Sequence, residues 1–95
     1  MLYHVRMDVH PPAAMDPAEF DRIKADERAM AQELQRDGRW LHLWRITGQY
    51  SNISIFDVPD HDALHAILAG LPLFPFMIIL VTPLAQHPSA VDREQ

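Results

Sequence analysis

Residues 40–57, WLHLWRIT (40–47), Gly48-Gln49 and YSNISIFD (50–57), decide the fold. Two alternating segments flank a Gly-X pair, which predicts a β-hairpin with a two-residue type II′ loop at Gly48-Gln49. That loop pairs Thr47 with Tyr50, Arg45 with Asn52, Leu43 with Ser54 and Leu41 with Phe56 on one face. Trp40, His42, Trp44, Ile46, Ser51, Ile53, Ile55 and Asp57 fall on the other. Large apolar groups stand on both faces, so neither face reads as one designed for water.

Working outward, residues Met1–His10 alternate with period two and predict a first strand, stopped by Pro11-Pro12. Asp16-Pro17-Ala18-Glu19 then reads as a helix start. Asp16 is the N-cap, Pro17 takes the first helical position, and Glu19 is spaced to reach back to the cap. The helix is expected to run to about Asp37, with Gly38 as its left-handed C-terminal residue. Beyond the hairpin, Pro59-Asp60 opens a shorter helix to about Gly70 with Leu64, Ile67, Leu68 and Leu71 as its apolar stripe. Phe76–Val81 reads as a last strand closed by Pro83, and residues 88–95 as a flexible polar tail. The order βαββαβ is that of an α+β, ferredoxin-like unit, two helices on one face of a four-stranded antiparallel sheet. Its other face is left open, yet FMIILV (76–81) is apolar on both sides. Sheet-to-sheet association with a second subunit, a dimeric α+β barrel assembly, is the expected consequence.

Ninety-five residues make a single domain, and 48 % apolar with 22 % charged residues is the balance of a globular one. No apolar run approaches the ~20 residues of a membrane helix, and the alternating N-terminus does not resemble a signal peptide. Without cysteine, disulfides, thiol nucleophiles and cysteine-ligated metals are excluded, and a cytoplasmic address fits. Eight basic against thirteen acidic residues give a net charge of -5, which argues against nucleic acid as a partner. Gly38, Gly48 and Gly70 are isolated, so no phosphate-binding loop and no nucleotide cofactor is indicated.

The first helix carries an apolar seam at Phe20, Ile23, Met30 and Leu34, and Glu27 falls in its middle. A carboxylate there partly faces the sheet, where desolvation makes it a stronger base unless a cation offsets this. Lys24, three residues earlier, is placed either to tune it or to bind an anion. An ordinary boundary ion pair between Lys24 and Glu27 is the competing reading. On the hairpin, Arg45, Tyr50, Asn52 and Ser54 share one face among Leu41, Leu43 and Phe56. Convergent polar groups in apolar walls suit a small-ligand pocket, and a peripheral Arg45 with Asn52 satisfying a bulge is the alternative. His61 and His65 have the i, i+4 spacing of a metal pair, but no third ligand is fixed beside them, and no metal site is expected. The sequence leaves open whether His4 faces the pocket. Trp40 and Trp44 read as core or interface anchors.

MLYHVRMDV (1–9), MDPAEFDRIKADERAMAQELQRDG (15–38), WLHLWRITGQYSNISIFDV (40–58) and LPLFPFM (71–77) together resemble the muconolactone Δ-isomerase family over nearly the whole chain. Its most distinctive pieces are Ile23–Glu27, Leu43–Ile46 and Leu71–Pro75. The resemblance implies a cofactor-free isomerase of the catechol branch of the β-ketoadipate pathway, converting muconolactone to 3-oxoadipate enol-lactone. It also implies ferredoxin-like subunits paired through their sheets and assembled into a homodecamer. Within it, Glu27 is the expected catalytic base. Tyr50 or Asn52 is the expected donor to the lactone carbonyl, and Lys24 or Arg45 the expected cation for the substrate carboxylate. Competing readings are a chloromuconolactone dehalogenase, a cofactor-free monooxygenase on a similar fold, and a small-ligand-binding or assembly module.

Overall fold

The computed structural model describes residues 1–91; the last four residues of the expected tail lie outside the described residues. Strand β1 (Leu2–Val9) leads to helix α1 (Pro17–Arg36), then to β2 (Trp40–Arg45), β3 (Ser51–Asp57), helix α2 (His61–Ala69), a 3₁₀ turn at Phe74–Phe76 and β4 (Met77–Leu84). The sheet is antiparallel with order β2-β3-β1-β4, so β1 and β3 are central and β2 and β4 are edges. This is the expected ferredoxin-like α+β arrangement.

Local chemistry accounts for the element ends. Asp16 caps α1 by accepting from the Ala18 N–H at 3.4 Å, and Pro17 occupies the first turn. The expected return bond from the Glu19 side chain is absent among the described residues; the Glu19 N–H instead bonds the Asp16 carbonyl at 3.0 Å. Gly38 follows α1 at φ 88°, a conformation a Cβ would strain, so the chain can reverse there into β2. Asp60 caps α2 through the Ala63 N–H at 2.8 Å.

Tyr3, Val5 and Met7 of β1 point to one side of the sheet and are buried with Phe56, Leu34 and Ala31 of α1, and Leu64, Ile67, Leu68 and Leu71 in and just after α2. Both helices therefore pack on this face. The other face carries Leu2, His4, Arg6, Asp8, His42, Trp44, Ile53, Ile55, Ile78 and Leu80, by strand alternation and register. Ile78 and Leu80 there are 64 % and 63 % exposed.

Three further expectations need correction. The hairpin loop is not a two-residue type II′ turn. The Gln49 N–H bonds the Ile46 carbonyl, which makes Gly48 (φ 79°) the third residue of a turn, and the Ile46 N–H bonds the Ser51 carbonyl, both at 3.0 Å. Four residues, Thr47–Tyr50, thus leave the ladder, although the pairs Arg45–Asn52 and Leu43–Ser54 stand as expected. A bulge at Leu41 then shifts the register, and Phe56 pairs with Trp40 rather than Leu41. One inserted residue inverts the side-chain parity. Trp40 is consequently 1 % exposed on the helix side, its ring 4.7 Å from that of Phe56, while Trp44 is 55 % exposed on the open face. Finally, β4 starts at Met77, after the 3₁₀ turn, and continues through Pro83 to Leu84. An edge strand tolerates a residue with no N–H to donate.

Candidate active site

A cavity of about 360 Å³ opens between α1 and the helix-facing side of β2 and β3, floored by Trp40, Leu43, Leu73 and Met77. All five candidate residues line it: Lys24 and Glu27 from α1, Arg45 from the end of β2, Tyr50 from the loop and Asn52 from β3. The volume suits a small molecule.

Glu27 reaches the wall because its helical turn is the one covered by the segment after α2. The Leu73 N–H donates to Glu27 Oε1 at 3.0 Å, fixing the carboxylate against a backbone group. Its other oxygen has no hydrogen bond or ion pair among the described residues. Burial pushes the Glu27 carboxyl above its ordinary value, and the Leu73 bond only partly opposes this. The boundary ion pair with Lys24 does not form. Lys24 Nζ sits 3.1 Å from Asp21 Oδ1, one turn back, and 5.3 Å from the Phe20 ring centroid. Its charge is directed away from Glu27, which leaves that carboxylate without the cation that would have lowered its basicity.

Across the cavity, the Arg45 guanidinium lies over the Tyr50 ring at 5.3 Å and pairs with no carboxylate among the described residues. The longer loop frees Tyr50 from strand pairing, so its phenol stands at the rim. Asn52 is oriented from within the sheet: buried Ser54 donates through Oγ to Asn52 Oδ1 at 2.8 Å, which leaves the amide NH₂ available. The arrangement is a half-buried base with one unengaged oxygen, two donors and an unpaired guanidinium about one cavity. Such a set can remove a proton from carbon beside a carbonyl, stabilise the resulting oxyanion and hold an anionic arm.

Several lining residues escaped the sequence reading. Arg28, Gln32 and Gln35 extend the α1 wall, and the Lys24, Arg28, Gln32 spacing of four was the available signal. Leu73 acts through its backbone, for which residue identity carries no signal. Trp40 was assigned to the wrong face because the Leu41 bulge leaves no mark in the alternation. Its indole N–H is buried without a hydrogen-bond partner among the described residues.

Other candidates lie elsewhere. His4 is on the open face, opposite Ile55. His61 Nδ1 shares a 2.6 Å hydrogen bond with the Tyr3 hydroxyl at a separate small cavity that His65 also lines. Among the described residues no three His, Cys, Asp or Glu side chains converge as a metal site, and no helix is long and apolar enough to cross a membrane.

Comparison with known proteins adds the lineage. The family model described as muconolactone delta-isomerase matches residues 1–90. The chain is 59 % identical over 91 residues to the muconolactone Delta-isomerase of Acinetobacter baylyi, covering 96 % of this chain and 95 % of that protein. It is 54 % identical over 94 residues to the Pseudomonas aeruginosa protein of the same name, covering 99 % and 98 %. A crystal structure of muconolactone isomerase superposes with a TM-score of 0.92 at 54 % identity, over 99 % of this chain and 98 % of that one.

Proposed function

The chain belongs to the muconolactone Δ-isomerase family, and from that premise we propose that it is an isomerase that moves the ring double bond of muconolactone to give 3-oxoadipate enol-lactone. The observation that carries the chemistry is Glu27, half-buried, anchored through one oxygen to the Leu73 N–H, unpaired by any cation among the described residues and facing a cavity of substrate size.

Moving the double bond requires loss of the ring proton at C4 and return of one at C2. The unengaged oxygen of Glu27 takes the C4 proton, and the electron pair delocalises through the ring to the lactone carbonyl as a dienolate. The carboxylic acid so formed then protonates C2, so one group serves as base and acid on one side of the ring. Negative charge grows on the carbonyl oxygen in the transition state, where the Tyr50 hydroxyl and the Asn52 amide donate to it. Arg45, with two parallel N–H donors and no competing carboxylate among the described residues, holds the carboxymethyl arm more readily than Lys24, which is engaged by Asp21. No step in this scheme requires a cofactor.

The exposed apolar side chains of the open face, Trp44, Ile78 and Leu80, support sheet-to-sheet association of subunits; the decamer implied by the resemblance and the cytoplasmic address that a cysteine-free chain suits are part of this reading. Leu80→Glu is expected to lower the assembled mass in light scattering; an unchanged mass would remove that interface from the reading.

The experiment is an anaerobic, metal-free assay with muconolactone beside Glu27→Gln. Turnover in the parent and its collapse in a correctly assembled variant are expected. Chloride release from a chlorinated lactone with no turnover of muconolactone would replace the isomerase by a dehalogenase; oxygen consumption would replace it by a monooxygenase.

A further inference from the structure

On the open face of the sheet, directly behind the cavity, Asp8 pairs with Ser51 in the β1–β3 register. Ser51 Oγ donates to Asp8 Oδ1. Arg6 grips the same carboxylate through Nε, at 3.2 Å from each oxygen, and through Nη2 at 3.1 Å. The Arg6 Nη2 group also donates to Gln49 Oε1 at 3.0 Å. The Arg6–Asp8 pair is half-buried within the subunit, and its bonds reach past the pair to Gln49 and Ser51, an arrangement that calls for a geometric explanation.

Its attachment points supply one. Gln49 and Ser51 flank Tyr50, and Ser51 immediately precedes Asn52. The Val9 N–H, next to Asp8, donates to the Tyr50 carbonyl at 3.0 Å. Tyr50 itself lies in the four-residue loop, outside the ladder that would otherwise hold it. Alternation sends the Asn52 side chain to the cavity side and the Ser51 side chain, only 6 % exposed, to the back, while Ser51 as a residue also borders the cavity. The loop's two neighbours of Tyr50 are thus tied to β1, a central strand of the sheet.

We propose that Asp8, with Arg6, is a positioning pair that holds Tyr50 and Asn52 at the carbonyl-binding end of the cavity by tethering Gln49 and Ser51 from the opposite face. The proposal rests on the reading of Tyr50 and Asn52 as donors. Among the described residues Asp8 makes no hydrogen bond to Glu27, Tyr50 or Asn52; it acts through Ser51 and, by way of Arg6, through Gln49 on the chain between them.

Asp8→Asn in the full chain keeps the shape and removes the charge. The expected result is an assembled protein with kcat lowered about tenfold, the order that a small misplacement of a donor produces. KM changes little, and the acid limb of the pH profile, which belongs to Glu27, does not move. In a Tyr50→Phe/Asn52→Ala background the same change is expected to cost less than about twofold, since coupled groups are not additive. Should Asp8→Asn fail to fold, Gln49→Ala, which removes one exposed tether, carries the test with an expected loss of about threefold. Unchanged kcat, an undiminished loss in the double-variant background, or a loss that tracks disassembly would each overturn the tether. If Tyr50→Phe/Asn52→Ala retains full activity, the donor assignment fails and the tether with it; if that pair is required and Asp8 is not, only the tether fails.

Discussion

Glu27 and Asp8 are carboxylates on opposite sides of one sheet, and their surroundings push them in opposite directions. Asp8 accepts from Arg6 and Ser51, and those bonds hold its carboxyl below the ordinary range. Among the described residues Glu27 has one backbone donor, no cation and a half-buried setting, and burial raises it. A carboxylate whose charge is fully satisfied serves to fix geometry; one whose charge is poorly satisfied is left as a base. The difference follows from where each neighbouring cation points. Arg6 turns toward Asp8, while Lys24, one helical turn from Glu27, turns toward Asp21.

The largest expected effect that tests this contrast is at Glu27. Glu27→Gln should lower kcat/KM by about 10³-fold, within the span of general acid–base catalysis; a loss comparable to that of Asp8→Asn would dissolve the distinction. Next, Tyr50→Phe removes one donor to the developing oxyanion and should lower kcat by about 10²-fold with a small change in KM. Arg45→Ala should act the other way round, raising KM by about tenfold or more with kcat little changed, as for loss of a charge-assisted bond made equally in ground and transition states. Steady-state kinetics with muconolactone separates these two.

The smallest effects are in stability and have opposite signs. Glu27 has a folded pKa above its unfolded value, so its contribution is present below the unfolded pKa and lost as pH rises through the folded pKa. At neutral pH, Glu27→Gln should therefore raise the Tm, with the difference shrinking toward acid. Asp8 has a depressed folded pKa, so its contribution is present above the unfolded pKa and lost as pH falls through the folded one. Asp8→Asn should lower the Tm at neutral pH and converge on the parent in acid. For the same reason the acid limb of kcat/KM should lie above the ordinary glutamate range, since Glu27 must be ionised to act. Thermal melts of both variants against pH sharpen the comparison; a parallel response would break it.

Much of the architecture was legible because its signals are local. The Asp16-Pro17 start, Gly38 at the end of α1, the alternation of β1 and the stripe Leu64, Ile67, Leu68, Leu71 each depend on residues within a turn or two of one another. The helix and strand periods also placed Glu27 in the seam and Arg45 beside Asn52. Features that depend on backbone hydrogen bonding were not legible. The Leu41 bulge, the four-residue loop that releases Tyr50 and the passage of β4 through Pro83 all turn on which N–H meets which carbonyl, and side-chain identity records little of that.

The sequence by itself determined the order of elements, the seam that carries Glu27 and the shared face of Arg45 and Asn52, because side-chain periodicity and chain-terminal caps act over a few residues. Only the tertiary structure decided that Lys24 leaves Glu27 for Asp21, that the Leu73 N–H takes one carboxylate oxygen, and that Trp40 and Trp44 part to opposite faces. Those outcomes depend on distances between segments far apart in the chain, where the desolvation and hydrogen bonding of a carboxylate are set.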